Sequence, residues 1–174
     1  MKIVIRAERK EDFDKISEIN DQAFGLTDEG NLIINLRKKK DFNAHLSLVA
    51  VDTDNDKTVG HILFYPIKIK ARNCEYQTLS LAPMSVLPEF QRKEIGSKMV
   101  TEGLIRAKNQ GYKSVIVLGH VDFYPRFGFQ PASRWGINCP FDIANEAFMA
   151  LELIEKGLDR SEGVVVYPKE FDDV

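Results

Sequence analysis

The chain is poor in the features that mark several large protein classes. Only two of its 174 residues are cysteines, and Cys74 and Cys139 lack the spacing of a metal site. No apolar run is long enough to span a membrane. The formal net charge of -2 gives no electrostatic support for nucleic-acid binding. We therefore expect a protein without a metal, a membrane or a nucleic acid as its partner.

The N-terminal residues also lack the apolar region and the cleavage site of a signal peptide. Without an export signal, the expected location is the cytoplasm, where both thiols would be reduced. A hydrophobic content of 44% and a charged content of 29% are ordinary for a globular protein. Since no linker, repeat or low-complexity stretch divides the chain, we predict one domain spanning residues 1–174.

The hydrophobic pattern predicts both strands and helices along the chain. Ile3 and Ile5 alternate with polar neighbours, as in a strand, whereas apolar residues before Gly25 recur at helical spacing. Pro83 interrupts a strand-like run, which indicates a bulge or an edge. The predicted strands are 2–7, 46–51, 59–69, 76–86 and 114–118, and the predicted helices are 13–24, a stretch around 32–36 and about 93–109.

The C-terminal part of the sequence allows two readings. Residues 147–153 are compatible with a helix by propensity and with a strand by their apolar run. We favour a strand that pairs with residues 163–167 as a late hairpin. The edge of such a hairpin could support a dimer, so both a monomer and a homodimer are open.

The segment from Val86 to Met99 is the most informative part of the chain. An apolar strand gives way to a polar loop with Gln91 and Arg92, and Gly96 then opens an amphipathic helix. Such a turn directs free backbone N–H groups at one point, which suits a pyrophosphate. The alternative is a plain strand-to-helix turn with a packing glycine. Neither Gly-x-Gly-x-x-Gly nor Gly-Lys-Ser/Thr occurs, which argues against a Rossmann or Walker loop.

This segment resembles the pyrophosphate loop of the GNAT superfamily of acyl-CoA-dependent N-acyltransferases. Their loop reads Gln/Arg-x-x-Gly-x-Gly/Ala, and Gln91 to Gly96 occupies it here, with Glu94 in place of the usual first glycine. The resemblance is specific over about residues 80–130. It implies an α/β (α+β mixed) fold of the GNAT type, with a central twisted, mostly antiparallel sheet that is splayed in the middle and flanked by helices.

The resemblance implies acetyl-CoA or CoA as co-substrate and no metal. In the family, a bulged strand parts from its neighbour and opens a slot that the pantetheine arm enters. By resemblance, the arm would pair there with the backbone of Met84, Ser85 and Val86 as an added strand does. Glu94 would repel the pyrophosphate unless its side chain points into solvent. The residues expected to hold the pyrophosphate are Gln91, Arg92, Lys93, Glu94, Ile95, Gly96 and Ser97.

A second segment, Tyr124 to Phe129, resembles the family's Tyr-x-x-x-Gly-Phe. The resemblance places Tyr124 near the thioester sulfur, both as a cofactor contact and as the general acid for the departing thiolate. The alternative role for Tyr124 is that of a core aromatic. For Phe127 and Phe129 we expect the core role.

The general base is less defined by the sequence. His120 follows a buried strand near the expected slot and is the candidate that we name, since histidine titrates in the useful range. Asp122, Glu75 or a water chain could serve instead. His61 could be either a core or a slot residue, whereas His45 has the pattern of a surface loop.

Two charged or variable segments could bear on substrate choice. Residues 37–40 are basic and could attract an acidic substrate or nucleic acid, but we expect them to be the solvated end of a helix. By resemblance, residues 24–31 would border the acceptor site.

The predicted function is transfer of the acetyl group of acetyl-CoA directly to a primary amine. The acceptor, a small molecule or a peptide, is not identified by the sequence. One alternative is an acyl-CoA-binding regulatory or interaction module with little or no turnover, which the missing loop glycine motivates. Another is an interaction domain without a cofactor.

Overall fold

The structure is a computed structural model, and it describes residues 1–25 and 28–172. Within this part of the chain, the structure contains both helices and strands, as the hydrophobic pattern predicts. The main elements in chain order are β1 (Ile3–Ala7), α1 (Phe13–Phe24), α2 (Asp28–Arg37), β2 (Ser47–Asp52), β3 (Lys57–Lys70), β4 (Glu75–Val86), α3 (Ile95–Asn109), β5 (Ser114–Leu118), β6 (Gln130–Pro131), β7 (Ile137–Asn138), β8 (Phe148–Glu152) and β9 (Gly163–Val166).

The described residues fall into two compact units, and each is described by itself below. The first unit comprises Met1–Phe64, Pro83–Arg106 and the segment from Lys169 onward. The second unit comprises Tyr65–Ala82 and Ala107–Pro168. The strands β3 and β4 and the helix α3 contribute residues to both units. A single domain over residues 1–174 stays a prediction.

The first unit is built on an antiparallel ladder that joins β1, β2 and the first half of β3. Ile5 lies opposite Ala50, and Leu48 lies opposite Ile62. The helices α1 and α2 bury their apolar sides here, as expected from their spacing. The resulting core cluster contains Ile16, Ile33, Val49 and Val51.

The second unit contains a more complex set of strand pairs. In it β4 and β5 are parallel, with Leu79 opposite Val115 and Ser80 opposite Ile116. The strand β5 is antiparallel to β8, which in turn is antiparallel to β6. The second half of β3 pairs with β9, and β9 pairs with β7. The sheet pairings are therefore mainly antiparallel, as predicted.

The predicted late hairpin is wrong in its pairing, although both of its strands exist. The strand β8 pairs with β5 and β6, whereas β9 pairs with β3 and β7. Their burial explains this outcome. The apolar start of β8 is buried on both faces, which suits a place beside the buried strand β5. By contrast, β9 buries Val165 and exposes Val164 and Val166.

The strand β4 carries the feature that matters most for the site. Its described ladder with β5 consists of two residue pairs and ends at Ser80, but the strand continues to Val86. Pro83 lies inside this continuation, and it has no N–H group to offer to a ladder. The end of β4 therefore runs on beyond its parallel partner.

Three further observations concern the chemistry of the described residues. No helix among them is long and apolar enough to cross a bilayer. Within residues 1–25 and 28–172, no cluster of three or more His, Cys, Asp or Glu side chains could hold a metal ion. Cys74 and Cys139 both carry free thiols.

Candidate active site

The loop between β4 and α3 adopts a backbone conformation that glycine usually provides. A 3-10 turn over Pro88–Phe90 follows the strand, and α3 begins at Ile95. Between them, Arg92 and Glu94 have left-handed φ angles of 59° and 60°. Left-handed residues at alternate positions turn successive N–H groups into a concave, anion-binding arrangement. Binding of a pyrophosphate by this loop stays a prediction.

Side chains of the loop hold its own backbone in place. Gln91 Nε2 donates a hydrogen bond to the Val86 carbonyl at 3.1 Å. Lys93 Nζ donates to the Glu89 carbonyl at 2.8 Å and lies 5.0 Å from the centre of the Phe90 ring. The cationic charge of Lys93 is therefore fixed on the loop, where it can contribute to binding an anion.

Glu94 is the departure from the family motif, and the structure shows where it lies. Its side chain is exposed, and its backbone carbonyl accepts the Lys98 N–H at 3.0 Å in the first turn of α3. A left-handed conformation costs a non-glycine residue about 1–2 kcal/mol. The loop therefore keeps the conformation of a glycine-containing turn at a position that has no glycine.

The end of β4 presents alternate residues to its two sides. Met84 and Val86 are half-buried, whereas Ser85 between them is only 3% exposed. Beyond the strand, the Leu87 N–H donates to the Val59 carbonyl at 2.9 Å, which ties this end to β3. The three residues predicted for the pantetheine arm thus directly precede the loop.

In the second unit, Tyr124 lies at the start of a 3-10 turn that follows β5. Its ring packs edge-on against Phe123 and Phe129, with centroids 5.1 Å and 5.6 Å away. It also covers Gly119, where a Cβ would collide with the ring of Tyr124. Burial raises the pKa of Tyr124 to about 12. The phenol therefore stays protonated at neutral pH, as a general acid must.

The candidates for the general base differ in their exposure and in their partners. The carbonyl of His120 accepts the Phe123 and Tyr124 N–H groups at 3.1 Å and 3.4 Å, while its side chain is exposed. Asp122 is also exposed. Glu75 lies at the start of β4 and forms an ion pair with Lys68 at 2.8 Å, which lowers the pKa of Glu75.

Two other predicted surface features have different outcomes. His45 is exposed in a 3-10 turn, as predicted. Arg37 is not part of a solvated helix end, because its side chain is 12% exposed and forms a bidentate ion pair with Glu8 at 2.9 Å. Lys38 to Lys40 are exposed. Within the predicted acceptor border, residues 26 and 27 lie outside the described residues.

His61 is a fully buried residue of the first unit. Its Nε2 lies 2.9 Å from Ser47 Oγ, and its Nδ1 lies 3.3 Å from Asn20 Nδ2. Desolvation, together with the positive charge of Arg37, lowers the pKa of His61 to about 3. Because its imidazole is neutral and enclosed, His61 is a core residue and does not face the predicted slot.

The sequence analysis missed the partners of His61. Asn20 lies on the apolar side of α1, four residues after Ile16, and Ser47 begins β2. Ser85, whose backbone is predicted to contact the cofactor, donates its hydroxyl hydrogen to Asn20 Oδ1 at 2.9 Å. A polar residue on an apolar helical face was the one signal in the sequence that pointed to this network.

Comparisons with known proteins identify the family of the chain. A family model described as an acetyltransferase (GNAT) domain matches residues 4–132. YjhQ of Escherichia coli K12, an uncharacterized N-acetyltransferase, is 35% identical over 138 residues, which are 79% of this chain and 75% of YjhQ. YhbS of the same strain, also an uncharacterized N-acetyltransferase, is 28% identical over 169 residues, 97% of this chain and 98% of YhbS.

Two solved structures are also similar to this chain. The crystal structure of YhbS from Escherichia coli in complex with CoA has a TM-score of 0.90 at 27% identity, covering 99% of this chain and 93% of that one. A GNAT family acetyltransferase from Brucella melitensis in complex with acetyl-CoA has a TM-score of 0.78 at 31% identity, covering 98% and 99%. The chain belongs to the GNAT acetyltransferase family, which confirms the predicted family, fold and enzyme class.

Burial of neutral His61 predicts a specific dependence of stability on pH. Between the unfolded pKa of about 6.5 and the folded value of about 3, the unfolded chain binds one more proton than the folded chain, so stability falls as pH falls. Relative to His61→Gln, we expect the free energy of unfolding of the wild type to fall by about 1.4 kcal/mol for each pH unit below 6.5. Urea unfolding of both proteins between pH 5 and 7 measures this difference. A difference in free energy of unfolding that does not change with pH would contradict the prediction.

Proposed function

We propose that this member of the GNAT family transfers an acetyl group from acetyl-CoA directly to a primary amine. The observation that carries the proposal is the loop with left-handed residues at Arg92 and Glu94, placed between the end of β4 and the start of α3. The complexes of YhbS with CoA and of the Brucella melitensis protein with acetyl-CoA support it by similarity.

Binding of the co-substrate would use backbone groups more than side chains. The N–H groups from Gln91 to Ser97 would bind the pyrophosphate, helped by the dipole of α3 and by the charges of Arg92 and Lys93. The backbone of Met84 to Val86 would pair with the pantetheine arm, since β4 continues past its described ladder with β5.

The proposed chemistry is a direct transfer. The amine nitrogen attacks the thioester carbon, a C–N bond forms, and the C–S bond breaks as the thiolate leaves. A strand N–H near Val86 would stabilise the negative oxygen of the intermediate. Tyr124 would give its proton to the departing sulfur, since its buried phenol is still protonated at neutral pH.

The amine must lose a proton during the same reaction. The exposed His120 is our candidate for the base, with Asp122, Glu75 or a water chain as alternatives. His61 is unsuitable, because its ring nitrogens are both engaged within the core. The acceptor is an amine whose identity stays open, and we propose a cytoplasmic enzyme that acts as a monomer or a homodimer.

One specific observation favours a second candidate function. Glu94 places a carboxylate at the position where the family has a glycine, and this could weaken CoA binding or turnover. In that case the chain would be an acyl-CoA-binding regulatory or interaction module.

The first test is calorimetric titration with acetyl-CoA and CoA, and separately with dephospho-CoA and ATP. We expect saturable binding of the CoA compounds and much weaker binding of ATP, because ATP lacks the pantetheine arm that β4 would bind. Absence of acetyl-CoA binding at millimolar concentration would overturn the proposal. Binding without acetyl transfer to any of a broad panel of primary amines would favour the regulatory module.

Two substitutions at Glu94 separate its charge from its backbone conformation. Glu94→Gln removes the charge, and Glu94→Gly also removes the left-handed strain. We expect Glu94→Gln to tighten CoA binding about threefold at low salt, the size of a surface charge interaction below about 1 kcal/mol. Unchanged affinity in calorimetry would show that the carboxylate points away from the pyrophosphate.

The same pair of variants has a control and a second measurement. Glu155→Gln makes the same charge change at an exposed position in the second unit and should leave CoA affinity unaltered. In thermal unfolding, Glu94→Gly should be at least as stable as Glu94→Gln, because relief of the left-handed conformation offsets the flexibility of glycine.

Tyr124→Phe tests the general acid. Once an amine substrate is found, we expect kcat to fall by about 10²-fold while acetyl-CoA affinity stays within about twofold, because the ring remains and only the proton donor is lost. Release of the CoA thiol gives the rate. Tyr76→Phe is the matched control in the same unit. Equal turnover in wild type and Tyr124→Phe would remove Tyr124 from the mechanism.

A further inference from the structure

Six polar side chains form a continuous hydrogen-bonded series through the interior of the first unit, which we call the buried polar chain. They come from β4, α1, β3, β2, the segment after β1 and the end of α2. Three of them are completely buried, and the two at 3% and 8% exposure are nearly so. In order, the members are Ser85, Asn20, His61, Ser47, Glu8 and Arg37.

The direction of each hydrogen bond follows from the end at Glu8. Arg37 donates to both Glu8 oxygens at 2.9 Å, so this carboxylate is an acceptor only. Ser47 Oγ lies 2.6 Å from Glu8 Oε2, and its single hydrogen is therefore donated there. Ser47 Oγ must then accept from His61 Nε2 at 2.9 Å. His61 is consequently the Nε2–H tautomer.

The other end of the series is fixed in the same way. His61 Nδ1 has only a lone pair, so it accepts from Asn20 Nδ2 at 3.3 Å. The second hydrogen of this amide goes to the Ile16 carbonyl at 2.8 Å. Asn20 Oδ1 accepts from the Ser85 hydroxyl at 2.9 Å. Every hydrogen bond that joins two members of the series between Ser85 and Glu8 therefore runs toward Glu8.

This arrangement does not suit a proton relay. The amide of Asn20 separates Ser85 from His61, and an amide neither takes up nor releases a proton at neutral pH. What the buried polar chain can do is to hold each of its members in one position and one orientation. A fully satisfied network specifies a single arrangement, although apolar packing would stabilise a core at least as well.

We propose that the buried polar chain positions the end of β4 for CoA binding by fixing Ser85. This inference rests on the proposed function, which assigns Met84 to Val86 to the pantetheine arm. Gly60, next to His61, strengthens it, because a Cβ at Gly60 would lie 3.1 Å from the Ser85 carbonyl oxygen. The side chain of Ser85 is thus held by Asn20 of α1, and its backbone carbonyl lies close to Gly60 of β3. Small shifts of a binding group can cost much affinity.

The test compares two substitutions in the buried polar chain with a matched control. Ser85→Ala removes the member that lies on β4, and Ser47→Ala interrupts the buried polar chain on β2 without changing β4. The control, Ser114→Ala, breaks the buried hydrogen bond between Thr78 and Ser114, which measures 2.7 Å and lies in the second unit. Calorimetry with CoA and urea unfolding are measured for all three variants.

We expect Ser85→Ala to weaken CoA binding about tenfold and Ser47→Ala about threefold. Ser114→Ala should lose comparable stability and bind CoA like wild type. Ser85→Thr keeps the hydroxyl and should recover affinity in part. Wild-type affinity in both Ser85→Ala and Ser47→Ala would overturn the inference and leave the proposed function standing. Absence of CoA binding by wild type would overturn both.

A second readout needs no ligand. The Leu87 N–H donates to the Val59 carbonyl just beyond Ser85, so its hydrogen exchange reports how firmly this end of β4 is held. We expect exchange at Leu87 to be about tenfold faster in Ser85→Ala and unchanged in Ser114→Ala. Equal exchange in wild type and Ser85→Ala would overturn the inference even if Ser47→Ala did not fold.

Discussion

The backbone hydrogen bonding of β4 is the constraint on which the rest of the candidate site depends. A strand that leaves its parallel partner must find other partners for its N–H and C=O groups. The described ladder with β5 ends at Ser80, and the strand continues to Val86 before the loop begins. Under the proposed function, the pantetheine arm would pair with these groups as an added strand, and the free N–H groups at the start of α3 would bind the pyrophosphate. Consecutive residues of β4 and of the loop would then bind two parts of the same ligand.

Two local rules are broken close to this strand end, and both exceptions have the same physical character. Glu94 adopts a left-handed conformation that favours glycine, and His61 is buried as a neutral imidazole. Departures from local preference persist only where the surrounding structure enforces them, and they concentrate at functional sites. Lys98 holds the backbone of Glu94, and Ser47 and Asn20 hold His61. Both exceptions are therefore built into the framework of the first unit.

The sequence predicted elements and motifs better than pairings and networks. The periodicity of α1, the apolar run of β5 and the loop motif are local patterns, and each was predicted at its place. The partner of β8 was not, because an apolar run indicates burial but does not identify the neighbouring strand. The buried polar chain joins residues from Glu8 to Ser85, which are brought together only by the fold. The exposed conformation of Glu94 also depends on the turn, so the sequence could name the departure without resolving it.

The neutral state of His61 has a consequence for the chemistry as well as for the fold. A histidine with both nitrogens engaged in the core cannot accept the proton of an attacking amine, so in the proposed reaction this proton would pass to groups in contact with solvent. The side chains of His120 and Asp122 are exposed, and water reaches both. The two proton transfers then differ in kind. In the proposed reaction the departing sulfur would receive its proton from the buried Tyr124 phenol, whose pKa is raised, whereas the amine would lose its proton toward the solvent side. Such a division would keep water away from the thioester while the acceptor amine is deprotonated where water is available.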